Sequence, residues 1–132
     1  MNGLPLDHVA IAVTDLAEAV RLHERLTGTP GSPVETLEAQ GVRVAFVGAV
    51  ELLEPLDAGS TVARFLERHG PGLHHLAYRT PDLGAELERV AAAGFDLVDA
   101  RPRPGARGHR VAFLHPRGTG RVLVELVEVS GS

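Results

Sequence analysis

The chain has 132 residues, a formal net charge of −4, no cysteine, no tryptophan and one tyrosine, and its thirteen basic residues are all arginine. Disulfides, thiolate metal sites, cysteine nucleophiles and lysine Schiff bases are therefore excluded together, and any chemistry falls to histidine and carboxylates. The negative charge and the scarcity of aromatic rings argue against nucleic-acid binding. No run approaches the roughly 20 apolar residues that cross a bilayer, and no basic then apolar leader is present, so a cytoplasmic protein is expected.

In chain order, Leu6 to Val13 alternates Val9, Ile11 and Val13 with His8, Ala10 and Ala12, a strand pattern with the histidine on the small-residue face. Leu16 to Leu26 follows with Leu16, Ala19, Val20, Leu22 and Leu26 at helical spacing behind Thr14 or Asp15 as N-cap. Thr29-Pro30-Gly31-Ser32-Pro33 breaks the chain, and short strands are expected at Val34 to Leu37, Val42 to Val47 and Val50 to Leu53. Ser60 to His69 reads as a linking helix closed by Gly70-Pro71-Gly72. The order then returns. A strand is expected at Leu73 to Arg79, a helix at Asp82 to Ala93, a strand near Phe95 to Val98, a loop at Arg101 to Gly105, and strands at Arg110 to Leu114 and Val122 to Val127.

That return is in register. His8 and His75 stand 67 positions apart, and so do the strands Arg43-Val44-Ala45-Phe46-Val47 and Arg110-Val111-Ala112-Phe113-Leu114. Glu51 and Glu125 are 74 apart because the turn His115 to Arg121 is longer in the second copy. One domain over 1–132 is expected, with a first module over about 4–57, a linker helix over about 58–71 and a second module over about 72–129. Each half alone lies near the lower size limit for a stable core, which favours a fused pair.

Each half thus supplies one histidine on its first strand and glutamates on its last. Two imidazoles and two carboxylates suit a divalent ion such as Co, Mn, Ni, Zn or Fe, with positions left for substrate oxygens. A single strand histidine is more often structural; repetition at fixed register is what raises His8 and His75 above that. Alternation does not choose between Glu51 and Glu54, or between Glu125 and Glu128, as the inward residue. His74 faces away from His75, and His23, His69, His109 and His115 read as solvated or loop positions.

Leu6-Asp7-His8-Val9-Ala10-Ile11-Ala12-Val13, Glu51-Leu52-Leu53-Glu54-Pro55-Leu56, Gly72-Leu73-His74-His75-Leu76-Ala77-Tyr78, Phe113-Leu114-His115-Pro116 and Val122-Leu123-Val124-Glu125-Leu126 resemble the methylmalonyl-CoA epimerase family, over almost the whole chain. That family is part of the vicinal oxygen chelate superfamily, with glyoxalases and bleomycin-resistance proteins. The resemblance implies an α+β fold, two pseudo-symmetric βαβββ modules forming a cupped mixed sheet around one divalent metal, with cobalt favoured. It implies His8, Glu51, His75 and Glu125 as metal ligands and Glu125 as a catalytic base. The implied reaction interconverts (2R)- and (2S)-methylmalonyl-CoA by proton abstraction through a metal-stabilised enolate. Epimerisation calls for a second base on the other face, and here the chain departs from the family: Val44 stands where well-understood members carry a glutamate, and neither Glu35 nor Glu38 is promoted to that role by spacing.

A CoA thioester brings phosphates, for which the arginines at 101, 103, 107, 110, 117 and 121 are candidates beside the plainer reading of a solvated loop. The resemblance also implies a homodimer. The competing functions are a glyoxalase or dioxygenase-like enzyme on the same fold, or a metal-free small-molecule-binding module of the bleomycin-resistance kind.

Overall fold

The computed structural model describes residues 3–129. The elements are β1 (Leu6–Ala12), α1 (Leu16–Thr27), β2 (Glu35–Leu37), β3 (Val42–Val47), β4 (Val50–Pro55), α2 (Thr61–His69), β5 (Gly72–Thr80), α3 (Leu83–Ala92), β6 (Arg103–Pro104), β7 (Arg110–Leu114) and β8 (Val124–Glu128). A strand, a helix and three strands therefore occur twice, as the α+β reading expects. Val9–His74 form one compact unit, and His75 onward together with the chain up to His8 forms the other.

Within Val9–His74, β1 pairs parallel with β4, β4 antiparallel with β3, and β3 antiparallel with β2. Helix α1 starts where the Asp15 carboxylate accepts the Glu18 N–H at 3.1 Å and stops at Gly28, whose φ of 73° lies in the left-handed region that glycine occupies without strain. Its residues Leu16, Ala19 and Val20 pack with Ile11, Val13, Ala45, Val47, Val50 and Leu52. This is the β-branched face of the first strand. Leu22 and Leu26 share the helical spacing yet stay exposed.

In the other unit, β5 pairs parallel with β8, β8 antiparallel with β7, and β7 antiparallel with β6. Asp82, 67 residues after Asp15, caps α3 by accepting the Ala85 N–H at 3.0 Å. Leu83, Leu87 and Val90 of that helix bury against Ala112, Leu114 and Leu126. Among the described residues no helix is long and apolar enough to cross a membrane.

The strand expected near Phe95 to Val98 does not form, and part of the expected loop at Arg101 to Gly105 is strand β6 instead. Leu97 makes only an isolated bridge to Leu114. The N–H groups of Val98 and Asp99 converge on the single Phe113 carbonyl, at 2.9 and 3.2 Å, while the Phe113 N–H goes to the Asp99 carboxylate at 2.9 Å. A side chain thus replaces the ladder bond a strand would need. The pairing shifts to Arg103 and Pro104, and proline is tolerated there because β6 lies at a sheet edge.

Glu54 and Glu128 occupy equivalent positions near the ends of β4 and β8. Glu54 accepts the Leu16 N–H at 2.8 Å, the first residue of α1, and Arg43 Nη1 at 2.7 Å. Glu128 accepts the Leu83 N–H at 3.0 Å, the first residue of α3, and both Nε and Nη2 of Arg110 at 2.9 Å. Each glutamate therefore satisfies a donor that a helix start leaves without an intrahelical partner and puts negative charge at the positive end of the helix dipole.

The Arg110 hydrogen bond and the Leu83 N–H hold the Glu128 carboxyl below the ordinary glutamate value. A carboxyl whose folded value lies below its unfolded one stabilises the fold above the unfolded value, and that contribution is lost as pH falls through the folded value. Glu128→Gln is expected to lower Tm by a few degrees at neutral pH, with the gap to wild type closing below about pH 4. Thermal denaturation of both proteins at several pH values reads this directly; a gap that persists in acid would remove charge as the source of the stabilisation.

Candidate metal centre

The parallel pairings set the chemistry on one face of each pair. On β1, Ala10 follows His8 by two residues and so shares its face, and Ala10 is the register partner of Glu51 on β4. On β5, Ala77 follows His75 by two residues and is the register partner of Glu125 on β8. The open choice between glutamates is thereby resolved. Glu51 and Glu125 lie on the histidine faces, while Glu54 and Glu128, three residues further on, face the helices they cap.

His8, Glu51, His75 and Glu125 are at most 5% exposed. Burying imidazoles and carboxylates is costly unless they are paired or bind a metal. In the unit that holds His8, His75 and Glu125, the His8 Nε2 lies 3.2 Å and the His75 Nε2 3.4 Å from the same Glu125 Oε1. One ligand atom from each of the three lies within 4.8 Å of the others. Donors held about 2.0–2.2 Å from one ion at tetrahedral or octahedral angles sit about 3.0–3.5 Å apart, so the spacing fits a shared divalent ion. The rings of His8 and His75 meet edge-on, with centroids 5.7 Å apart at 74°, and the Phe113 ring abuts His75 at 5.3 Å.

Behind His8 stands Asp7, whose Oδ2 lies 2.7 Å from His8 Nδ1. Arg107 Nη2 donates to the same oxygen at 3.0 Å, and Arg79 Nη1 reaches Oδ1 at 3.4 Å. Burial raises the Asp7 carboxyl, but the hydrogen bond and charge of His8, with Arg107 and Arg79, outweigh it and hold the group below its ordinary value. Alternation along β1 hides this contact, because adjacent strand residues ordinarily face opposite ways. The signal was a break in the repeat: the residue equivalent to Asp7 is His74.

The remaining histidines do other things. His74 packs edge-on to Phe65 at 5.0 Å, and His69 lies 4.9 Å from the same ring. His115 accepts the Arg117 N–H at 3.2 Å and caps a short 3-10 turn, while His23 and His109 are half-buried on α1 and in the loop before β7. Val44 is buried, with Glu35 as its register partner on one side and Leu53 on the other; Glu38 is exposed at the start of a 3-10 turn.

Of the six loop arginines, four are committed to carboxylates: Arg103 to Asp99, Arg107 to Asp7, Arg110 to Glu128 and Arg117 to Asp96. Arg101 and Arg121 are exposed.

Residues 7–113 match the model of the glyoxalase/bleomycin resistance protein/dioxygenase superfamily. The chain belongs to this superfamily. It is 40% identical over 131 residues to the ethylmalonyl-CoA/methylmalonyl-CoA epimerase of Cereibacter sphaeroides, covering 94% of this chain and 97% of that protein. The crystal structure of methylmalonyl-CoA epimerase from Mycobacterium tuberculosis superposes with a TM-score of 0.92 at 36% identity, over 98% of this chain and 93% of that one. A methylmalonyl-CoA epimerase in complex with methylmalonyl-CoA and ammonium gives 0.91 at 33% identity, over 99% and 97%. The expected fold is therefore the superfamily's own.

Proposed function

We propose that this chain is an epimerase that interconverts (2R)- and (2S)-methylmalonyl-CoA, with His8, Glu51, His75 and Glu125 as ligands of one divalent metal and Glu125 also as a base. The observation that carries the reading is the convergence of both imidazole Nε2 atoms on the Glu125 carboxylate, in a chain similar along its length to epimerases of this substrate class. Glu51 holds the equivalent register position beside Ala10. Two neutral nitrogens and two carboxylate oxygens form a borderline-to-hard donor set suited to first-row divalent ions, cobalt among them.

When bound, the metal supplies Lewis acidity toward the thioester and carboxylate oxygens that flank the acidic carbon of the substrate. The protein's own part is orientation and proton transfer. His8 and His75 would hold the metal through their Nε2 atoms, and the Glu125 carboxylate takes the proton from one face of that carbon. Burial of the whole group excludes bulk water, which strengthens each of these interactions. Val44 carries no titratable group, so the proton for the opposite face comes from elsewhere. A dioxygenase reading is less well matched, since a facial site uses two histidines and one carboxylate. A homodimer in the cytoplasm completes the proposal; sedimentation at micromolar concentration is expected to give twice the chain mass, and a monomer alone would remove that part.

Changing His75 to alanine is expected to abolish most bound metal and activity together, whereas His74→Ala should leave metal content intact because its ring lies against Phe65. Stoichiometric metal retained by His75→Ala would end the ligand assignment.

Glu125→Gln keeps the shape and an oxygen donor while losing charge and basicity. With metal still bound, exchange of the substrate proton with deuterated solvent should slow by about 10²–10⁴-fold, the usual contribution of one positioned acid–base group. The slowing should be greater from one epimer than from the other. Near-normal exchange from both epimers would leave Glu125 at most a ligand.

A further inference from the structure

We infer that Asp7 is a positioning residue: it keeps a hydrogen on His8 Nδ1 and thereby turns Nε2 toward the metal, while Arg107 and Arg79 clamp its carboxylate in place. The inference rests on the metal reading above and adds to it a residue outside the ligand set.

Either nitrogen of a neutral imidazole can carry the hydrogen, and the partner of one nitrogen decides which. An ionised carboxylate only accepts. With Asp7 Oδ2 at 2.7 Å from Nδ1, the hydrogen belongs on Nδ1, and Nε2 is the nitrogen directed at Glu125 Oε1. A carboxylate in this position also locks ring rotation and raises the basicity of the metal-facing nitrogen.

The clamp depends on a specific backbone conformation. Arg107 has φ of 59°, in the left-handed region that non-glycine residues seldom adopt, and Gly108 follows at 73°. Two residues before Arg107, Gly105 lies so close to β7 that an added Cβ would meet Val111 Cγ1 at 2.6 Å. The loop is thus drawn against β7 at one end and turned sharply at the other, and its arginine lands on the Asp7 oxygen that also faces His8. The Asp7 side chain is only 8% exposed although Arg107 is 41% exposed, so the loop closes over the carboxylate while its own guanidinium still meets solvent. In the second half His74 stands in the position equivalent to Asp7 and packs on Phe65.

The test uses the full chain loaded with zinc, which is diamagnetic. Long-range proton–nitrogen NMR is expected to show His8 bound through Nε2, with a downfield Nδ1–H protected from solvent exchange. In Asp7→Ala that protection should vanish, and zinc affinity, measured by competition with a chromophoric chelator, should fall about 10–100-fold. Arg107→Ala, which removes a half-exposed side chain, should weaken zinc several-fold in the same direction and speed exchange of the same proton. It carries the test if Asp7→Ala does not fold. Coordination of His8 through Nδ1, or affinities within twofold of wild type in both variants, would overturn the inference. Failure of the metal reading itself looks different: His8→Ala would retain stoichiometric zinc.

Discussion

Parallel pairing between the first and last strand of each half sets a glutamate beside an alanine, Ala10 by Glu51 and Ala77 by Glu125, and the site is built on that register. In a parallel pair the partners share a face, so the histidine two residues before each alanine shares it too. The alanines are wholly buried. Slipping either pair by one residue would send its glutamate to the helix side and bring a leucine or valine to the histidine.

The same register explains why each last strand carries two glutamates. Their three-residue offset is odd, so Glu51 and Glu54 point to opposite faces, as do Glu125 and Glu128. Glu54 and Glu128 then reach the first N–H of α1 and α3, and Arg43 and Arg110, equivalent residues on the neighbouring strands, hold them there. A single strand thus joins the candidate metal face to the helix that covers its other side.

Much of this was legible from residue pattern. The 67-residue repeat located both histidines, both helices and most strands, because period-two and helical spacings are strong where one face is buried. The inward glutamates were not legible from alternation, since both faces of β4 and β8 are buried and neither reads as polar; only the cross-strand register separates them. The second strand of the second half was misread for a related reason. Phe95, Leu97 and Val98 have the composition of a strand, but the Asp99 carboxylate takes the Phe113 N–H that would have continued the ladder, and such a substitution has no periodicity. Asp7 escaped because strand alternation assigns it away from His8, whereas its carboxylate bends round to its neighbour's ring.

Where the two halves agree and where they differ divides the molecule by task. They agree at the helix caps Asp15 and Asp82, at the anchoring pairs Arg43–Glu54 and Arg110–Glu128, and at the alanine–glutamate registers. They differ at Asp7 against His74, at the longer turn His115 to Arg121, and at the loop that carries Arg107 in its left-handed conformation. A CoA thioester has two unlike ends, a small acyl carboxylate and a long phosphorylated chain. Distinguishing the two ends, and giving the two faces of one carbon different neighbours, requires that the repeat be broken. The breaks include the carboxylate beside His8, where the second half instead carries His74 packed on Phe65.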